Sequence, residues 1–272
     1  MGKFSFIWYP SNHAHIGRYG ASLLICVARS PSFFLHKNLI ESMTSVLKVV
    51  MCLTPGALLS SASRERCITN INESSTYHLK NRKTLLNASV LVHICVNNGE
   101  VCLLYTKRSL KLRLHKGQVA FPGGKVDENE TVYETALRET EEEIGFPAED
   151  IEIWTKMSEL YGRVAKLRIT PVVGVLKDFD MEKLKPNEAE VADVFTVPVK
   201  VFCDSNNHGY YICYVNHESI VLPVFSGGKH RVWGLTGLIT HLFLMSFLPS
   251  EVYFADFLRK KYKLSELMPP KQ

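Results

Sequence analysis

Residues 124–146 read GKVDENETVYETALRETEEEIGF, and this stretch is the most informative part of the 272-residue chain. Thr131–Ile144 is predicted to form a helix, because its apolar positions fall on one stripe that can face a core. Glu139, Glu142 and Glu143 share a different face, since residues three and four positions apart are neighbours on a helix. The sequence therefore predicts a cluster of carboxylates near the end of an amphipathic helix.

This carboxylate cluster does not suit a helix on its own. Like charges at these spacings repel each other. The cluster also precedes Gly145, a predicted C-terminal cap. The C-terminus of a helix carries partial negative charge and favours cations, by roughly 0.3–1 kcal/mol per charge. A bound divalent cation would relieve both effects, whereas a solvated acidic face is the alternative interpretation of such a glutamate run.

The residues around the cluster favour the metal site, because they resemble the box motif of the Nudix hydrolases in order and spacing. The matching positions are Gly124, Glu130, Arg138, Glu139, Glu142, Glu143 and Gly145. Two aliphatic positions of the motif differ, since Thr140 stands at the first and Phe146 at the last. Thr140 is expected to face the core, so its hydroxyl group needs a hydrogen-bond partner.

The resemblance implies a fold and a chemistry. Nudix hydrolases adopt an α/β/α sandwich with a mixed central sheet, and they cleave a nucleoside diphosphate linked to another group. Oxygen ligands suit Mg²⁺ or Mn²⁺, and such an ion can activate the attacking water without a nucleophilic side chain. The implied ligands are Glu139, Glu142, Glu143 and the carbonyl of Gly124. Arg138 is expected to pair with Glu130 in a structural role, as a support for the box.

The general base is left open by the sequence. In this superfamily the base comes either from the box or from a later loop. Glu190, within the stretch PNEAEVADVF, is the candidate from a later loop. A surface glutamate without a catalytic role is an equally good interpretation of that position.

A basic segment precedes the box, with the sequence LYTKRSLKLRLHKGQVAFPGG from Leu104 to Gly124. A solvated basic hairpin or a weak nucleic-acid patch would have this composition, and so would a polyanion site beside the metal. The segment resembles the signature of the coenzyme A diphosphatase branch of the Nudix family. The matching residues are Leu104, Thr106, Arg108, Ser109, Arg113, Gly117, Phe121, Pro122, Gly123 and Gly124, with Tyr105 at a position where leucine is usual.

The resemblance to this branch implies coenzyme A or its thioesters as the substrate. Coenzyme A carries a 3′-phosphate as well as a diphosphate, so a second group of cations is expected to bind it. Arg108, Arg113 and His115 are the expected substrate contacts. NADH, ADP-ribose or an oxidised nucleotide are alternative substrates for the same chemistry. A Nudix domain that binds a ligand without turnover is a further alternative, although all the carboxylates of the box are present.

Charge divides the chain into a basic N-terminal part and a near-neutral remainder. Residues 1–87 hold ten basic and three acidic residues, whereas the remainder holds 22 and 24. Glu41 is the first acidic residue. Basic, serine-containing leaders of this kind are typical of mitochondrial transit, so the matrix is the expected location and the cytosol the alternative. We expect no nucleic-acid partner and no membrane span, and the sequence does not specify an oligomeric state.

The predicted organisation has three parts. Residues 1–81 are an N-terminal extension expected to be mostly disordered, residues 82–265 are the Nudix hydrolase domain, and residues 266–272 are a short tail. The other predicted elements of the domain are strands at Ser89–Val96, Val101–Lys107, Arg168–Leu176, Tyr210–Val215 and Ile220–Phe225, and helices at Trp233–Phe247 and Glu251–Leu264. Asn97–Glu100 is expected to form a hairpin turn between the first two strands.

Overall fold

A computed structural model of the chain describes residues 51–74, 86–161, 167–215 and 218–269. The described residues form one structural unit. Of the predicted N-terminal extension, residues 1–50 and 75–81 lie outside the described residues. The predicted hairpin turn is determined by its local sequence. Asn98 and Gly99 in this turn have φ angles of 51° and 75°. Both residue types tolerate positive φ, which a two-residue hairpin of this kind requires.

A mixed sheet lies at the centre of the domain. Its strands are β1 (Leu86–Asn97), β2 (Glu100–Arg108), β3 (Val119–Ala120), β4 (Gly123–Lys125), β5 (Ile151–Lys156), β6 (Leu160–Tyr161), β7 (Leu167–Leu176) and β8 (Val191–Pro198). The long strands follow the order β8-β2-β1-β7-β5. The pairing of β1 with β7 is parallel, and the other pairings are antiparallel. The short strands β3, β4 and β6 pair with β2, β1 and β7, respectively.

A smaller antiparallel sheet and several helices complete the described residues. The second sheet contains β9 (His208–Val215), β10 (Glu218–Phe225) and β11 (Val232–Trp233), in the order β11-β10-β9. The helices are α1 (Pro55–Leu58), α2 (Ser61–Glu73), α3 (Val132–Ile144), α4 (Val199–Cys203), α5 (Gly234–Phe247) and α6 (Leu264–Leu267). The box residues of the sequence therefore form α3 and the turn that precedes it.

Helices cover both faces of the central sheet. Successive residues of β1 and β2 point to opposite faces, so each strand contributes side chains to both layers. On one face, Leu91 and Leu104 pack with Ala136 of α3 in a buried apolar cluster. On the other face, the fully buried Tyr105 donates or accepts a hydrogen bond with Thr240 of α5 at 3.0 Å. The α/β/α sandwich with a mixed central sheet that the sequence predicted is confirmed.

Two helices lie in the stretch that the sequence assigned to a disordered extension. Helix α2 packs against α5, and its Cys67 and Ile71 are buried. Asn70 donates a hydrogen bond to the carbonyl of Ser246 at 3.0 Å, and Arg64 pairs with Glu152 at 2.7 Å. The expectation of disorder up to residue 81 is therefore wrong for the described residues 51–74. Only a few positions of α2 are apolar, so its helical periodicity is too faint to recognise in the sequence.

The C-terminal end of the domain also differs from the prediction. Instead of one amphipathic helix over Glu251–Leu264, a 3₁₀ turn at Phe257–Arg259 is followed by the short helix α6. Leu267 is buried against Tyr211 and Tyr262, so the domain extends beyond the boundary at residue 265. The apolar residues of this segment contact separate parts of the domain, and an uninterrupted helix does not form. No helix among the described residues is long and apolar enough to span a membrane.

We predict that α2 contributes to the stability of the domain. Ile71→Ala should lower the free energy of unfolding by about 2–5 kcal/mol, because it leaves a cavity against the neighbouring layer. Urea unfolding followed by tryptophan fluorescence measures this change, since Trp154 packs against Phe247 of α5 with ring centroids 6.0 Å apart.

The matched control for this prediction is Thr69→Ala, because Thr69 is an exposed residue of the same helix. Its effect should stay within about 0.5 kcal/mol. Equal stability of the two variants would mean that α2 does not belong to the cooperative unit.

Candidate active site

Helix α3 begins with local interactions that fix its position. The side chain of Thr131 accepts a hydrogen bond from the backbone N–H of Glu134 at 3.2 Å, and the Glu134 carboxylate accepts one from the backbone N–H of Thr131 at 2.7 Å. This reciprocal capping box satisfies two backbone donors that a helix start otherwise leaves without partners. The helix therefore starts at a defined residue, which determines where its glutamates lie two to three turns later.

The end of α3 is fixed by a loop that follows much later in the sequence. Gly145 has a φ angle of 69° and closes the helix. Lys185 and Asn187 donate backbone hydrogen bonds to the carbonyls of Ile144 and Glu143, both at 2.9 Å. A Cβ atom at Gly145 would lie 2.8 Å from the Cβ of Lys185. Glycine at this position therefore allows both the positive φ angle and the close approach of the loop that carries Glu190.

Glu143 is a nearly buried carboxylate at the centre of the site, with 3% of its side chain exposed. The backbone N–H of Gly123 lies 3.5 Å from its Oε1, and the guanidinium of Arg108 lies 4.0 Å away. Burial raises the pKa of Glu143 to about 7, even though the charge of Arg108 acts in the opposite direction. This pKa shows that a negative charge is costly here unless a cation balances it.

Glu139 lies directly against the turn before the helix. A Cβ atom at Gly124 would be 2.1 Å from Oε1 of Glu139, so glycine allows the carboxylate to lie directly against the backbone. Burial raises the pKa of Glu139 above its ordinary value, while the hydrogen bond from Arg138 counteracts the shift. The backbone of Gly124 and a carboxylate oxygen are thus brought together, as the predicted ligand set requires.

Glu190 enters the same site from the loop after β7. Its charge raises the pKa of both Glu139 and Glu143, although burial is the larger cause in each case. The carbonyl of Glu190 accepts a hydrogen bond from the backbone N–H of Ser109 at 2.7 Å. Because Ser109 directly follows Arg108, this bond holds the later glutamate and the basic segment together. The structure therefore places three of the predicted carboxylates and one predicted cation in the same region.

Arg138 and Glu130 form the paired contact that the sequence predicted. The guanidinium contacts the two oxygens of Glu130 through Nε at 2.7 Å and Nη2 at 3.1 Å. Thr135 donates a further hydrogen bond to Glu130 at 2.7 Å. The hydrogen bond from Arg138 is the main reason that the pKa of Glu130 is lowered to about 2. Arg138 also donates to the carbonyl of Lys125 at 3.3 Å, so it ties the preceding loop to α3.

The donor set of the site fits a hard divalent cation, although the side chains do not yet surround a single point. Arg138 donates hydrogen bonds to Glu139 at 3.0 Å and to Glu142 at 3.1 Å. Across the described residues, no three acidic, histidine or cysteine side chains are grouped closely enough to hold a metal ion. The carboxylate oxygens and the burial of Glu143 nevertheless suit a hard divalent cation.

The other two predicted substrate contacts form no ion pair with these carboxylates among the described residues. Arg113 and His115 are exposed on the loop between β2 and β3. His115 has a φ angle of 55°, and its Nδ1 lies 3.1 Å from Oε1 of Gln118. The loop is closed at its base by backbone hydrogen bonds between Arg108 and Gln118 and from Gly117 to Arg108. Within the part of the chain that the structure describes, Arg108 is the predicted contact that pairs with a box carboxylate.

Sequence reasoning missed the histidine beneath the box. His93 of β1 is fully buried, and its Nε2 lies 2.9 Å from the hydroxyl of Thr140. Thr140 donates its own hydroxyl hydrogen to the carbonyl of Ala136 at 2.7 Å, so His93 is the donor through Nε2. Burial lowers the pKa of His93 to about 3, which keeps the ring neutral. The alternation of Leu91, His93 and Cys95 along β1 could have placed this histidine on the face that α3 covers.

Comparison with known proteins identifies the family of this chain. A family model described as NUDIX domain matches residues 85–213. The chain is 40% identical over 194 residues to "Mitochondrial coenzyme A diphosphatase NUDT8" of Mus musculus, covering 70% of this chain and 90% of the relative. It is 39% identical to the protein of the same name from Homo sapiens, with 70% and 80% covered. "Nudix hydrolase 3" of Caenorhabditis elegans is 37% identical over 188 residues, with 63% and 77% covered. This extent of similarity, together with the box helix, shows that the chain belongs to the Nudix family.

Proposed function

We propose that this Nudix protein is a metal-dependent diphosphatase of coenzyme A and acyl-coenzyme A. The products are 3′,5′-ADP and 4′-phosphopantetheine or its acyl derivative. The observation that carries the proposal is the buried carboxylate of Glu143, which lies against the Gly123 backbone and 4.0 Å from Arg108. A site that combines a buried anion with an adjacent cation can hold both a metal ion and a phosphate. The names of the mouse and human relatives support coenzyme A as the substrate.

The chemistry requires a divalent cation, which the carboxylates of Glu139, Glu142 and Glu143 and the Gly124 carbonyl would hold. When bound, such an ion lowers the pKa of a coordinated water and offsets the charge of the diphosphate. We assign Mg²⁺ or Mn²⁺, because these hard ions prefer oxygen ligands.

The residues of this chain orient the substrate and accept the proton. Arg108 attracts the diphosphate through its guanidinium, which can form charge-assisted hydrogen bonds to phosphate oxygens. Glu190 accepts a proton from the attacking water. A new bond forms between the water oxygen and phosphorus, and the anhydride bond to the second phosphate breaks. That second phosphate leaves with the electron pair of the broken bond.

The basic loop is proposed to select the substrate. Arg113 and His115 are exposed on the loop that begins next to Arg108. Arg113 forms no ion pair among the described residues, so its charge is available to a ligand. A 3′-phosphate distinguishes coenzyme A from NADH and ADP-ribose, and cations near the site would recognise this group.

The mitochondrial matrix is the proposed location. The mouse, human and Arabidopsis thaliana relatives carry "mitochondrial" in their names. The acid-poor N-terminal residues support the same location, as expected for a transit sequence.

The first prediction concerns the metal site. Glu143→Gln should lower kcat at least about 10²-fold, because it removes a buried charge aimed at the reacting centre. It should also abolish the increase in melting temperature that Mn²⁺ gives to the wild-type protein. The measurements are product formation under saturating substrate and thermal unfolding with and without the ion.

Glu141→Gln is the matched control for this experiment, since Glu141 is an exposed residue of the same helix. Its activity and its response to Mn²⁺ should equal those of the wild type. Retention of full turnover by Glu143→Gln would refute the metal assignment.

The second prediction tests the general base. Glu190→Gln should lower kcat by about 10²–10⁴-fold with little change in KM, because an amide cannot accept the proton. Glu188→Gln provides the control, since Glu188 is exposed on the same loop. If both variants kept wild-type kcat, Glu190 would be a surface residue and the base would come from the box.

The third prediction identifies the substrate. Mass-resolved chromatography should detect 3′,5′-ADP from coenzyme A, with a kcat/KM at least tenfold above the values for dephospho-coenzyme A, NADH and ADP-ribose. The ratio between coenzyme A and dephospho-coenzyme A should fall towards one in Arg113→Ala, because the variant lacks the cation that binds the 3′-phosphate.

Each alternative gives a different result in that panel. Equal turnover of coenzyme A and dephospho-coenzyme A would remove the proposed 3′-phosphate contact. Preference for NADH or ADP-ribose would keep the metal chemistry and replace the substrate. Binding of coenzyme A without turnover of any compound would indicate a non-catalytic domain.

A further inference from the structure

The segment after α5 exposes three large apolar side chains. Phe254, Leu258 and Leu264 are 75%, 65% and 49% exposed, respectively. Exposed apolar side chains that occur singly need no explanation, but a series within one short segment indicates an interaction surface. None of these residues takes part in the proposed catalytic site.

The exposure is not a consequence of a loose chain end, because the intervening residues anchor the segment. Tyr253 is buried, and its hydroxyl lies 2.9 Å from Nδ1 of His241. The ring of Phe257 packs edge-on against His241, with centroids 4.9 Å apart. Two backbone hydrogen bonds, both at 2.7 Å, join the segment to β9. The N–H of Tyr210 donates to the Lys260 carbonyl, and the N–H of Tyr262 donates to the Tyr210 carbonyl. The fold therefore holds the exposed apolar side chains outward.

Basic side chains lie between these apolar residues. Lys260, Lys261 and Lys263 are exposed, and within the described part of the chain none of them forms an ion pair. The ammonium group of Lys260 lies 4.9 Å from the centre of the Tyr262 ring. Arg259, by contrast, is neutralised by Asp256 at 2.9 Å. These three apolar residues and three lysines are all exposed between Phe254 and Leu264, and we call them the C-terminal basic surface: Phe254, Leu258, Leu264, Lys260, Lys261 and Lys263.

We propose that the C-terminal basic surface docks this protein onto an anionic lipid bilayer. Apolar side chains that enter the interface between headgroups and acyl chains, flanked by lysines that bind anionic headgroups, are the two components of reversible membrane-surface binding. Each lysine close to such a surface strengthens binding about fivefold. No helix needs to cross the bilayer for this attachment.

Other occupants fit these side chains less well. A symmetric dimer across this surface would bring the unpaired lysines of two copies face to face, since a twofold interface uses the same patch on both subunits. Lysine is also depleted in the cores of protein interfaces. Nucleic acid would contact the lysines but would gain little from Leu258 and Leu264, because its outer surface is a row of phosphates.

The test is flotation of the purified full-length protein with vesicles of phosphatidylcholine containing 30% anionic lipid, and with pure phosphatidylcholine vesicles. Three proteins are compared: the wild type, Phe254→Ser/Leu258→Ser and Lys260→Gln/Lys261→Gln/Lys263→Gln. Both variants should bind the anionic vesicles at least tenfold more weakly than the wild type. Turnover of a soluble substrate should remain at the wild-type level, because the surface lies outside the catalytic site.

Matched controls change the same properties elsewhere. Val221→Ser/Met245→Ser removes two exposed apolar side chains, and Lys156→Gln/Lys177→Gln/Lys183→Gln removes three exposed positive charges. Both controls should bind vesicles as the wild type does. Weaker binding by these controls, equal to that of the test variants, would show that overall composition rather than this surface governs binding.

A local probe makes the assignment independent of the basic N-terminal residues. The fluorescence of the new tryptophan in Phe254→Trp should be quenched by vesicles whose lipids carry bromine on the acyl chains. The fluorescence of the new tryptophan in Val221→Trp should not be quenched. Absence of quenching at residue 254 would overturn the proposal. Vesicle binding that is lost in the lysine variant but retained in Phe254→Ser/Leu258→Ser would indicate a general polyanion surface and would also overturn it.

Discussion

The burial of the Glu143 carboxylate at the C-terminal end of α3 is the constraint around which the rest of the site is arranged. A helix end that already carries partial negative charge is an unfavourable place for another anion. The structure supplies compensation from two separate parts of the chain: the backbone N–H of Gly123 in β4 and the guanidinium of Arg108 at the end of β2. The site therefore depends on the pairing of these strands within the central sheet.

The same constraint explains why glycine occurs at the two ends of the box. Gly124 leaves room for the Glu139 carboxylate, and Gly145 leaves room for the loop that delivers Glu190. At the opposite side of α3, the neutral pair of His93 and Thr140 fills a core position where the motif has an aliphatic residue. Thr140 donates a hydrogen bond to the carbonyl of Ala136 and accepts one from His93. Among the described residues, the second ring nitrogen of His93 is the one polar side-chain atom of this buried pair that has no hydrogen-bond partner.

Local pattern was sufficient to predict the box helix, its C-terminal cap Gly145 and the first hairpin, because these depend on neighbours within a few positions. The pairing of Arg138 with Glu130 was expected from the resemblance to the Nudix box. The proximity of Glu190 and Arg108 could not be predicted from local pattern, because it depends on a backbone hydrogen bond between segments about eighty residues apart in the chain. Helix α2 could not be predicted for a related reason: its amphipathic pattern is faint, and contacts with α5 determine its structure.

The closed base of the loop between β2 and β3 has a consequence for how such proteins can diversify. Backbone hydrogen bonds at Arg108, Gly117 and Gln118 fix both ends of the loop, while residues 110–116 between them face mostly solvent. Substitutions or insertions within the loop can therefore change which ligand is recognised without moving Arg108 relative to the carboxylates. Selection can act on ligand preference and on bond cleavage almost independently, so a new specificity can arise by exchange of a few loop residues on an unchanged catalytic frame.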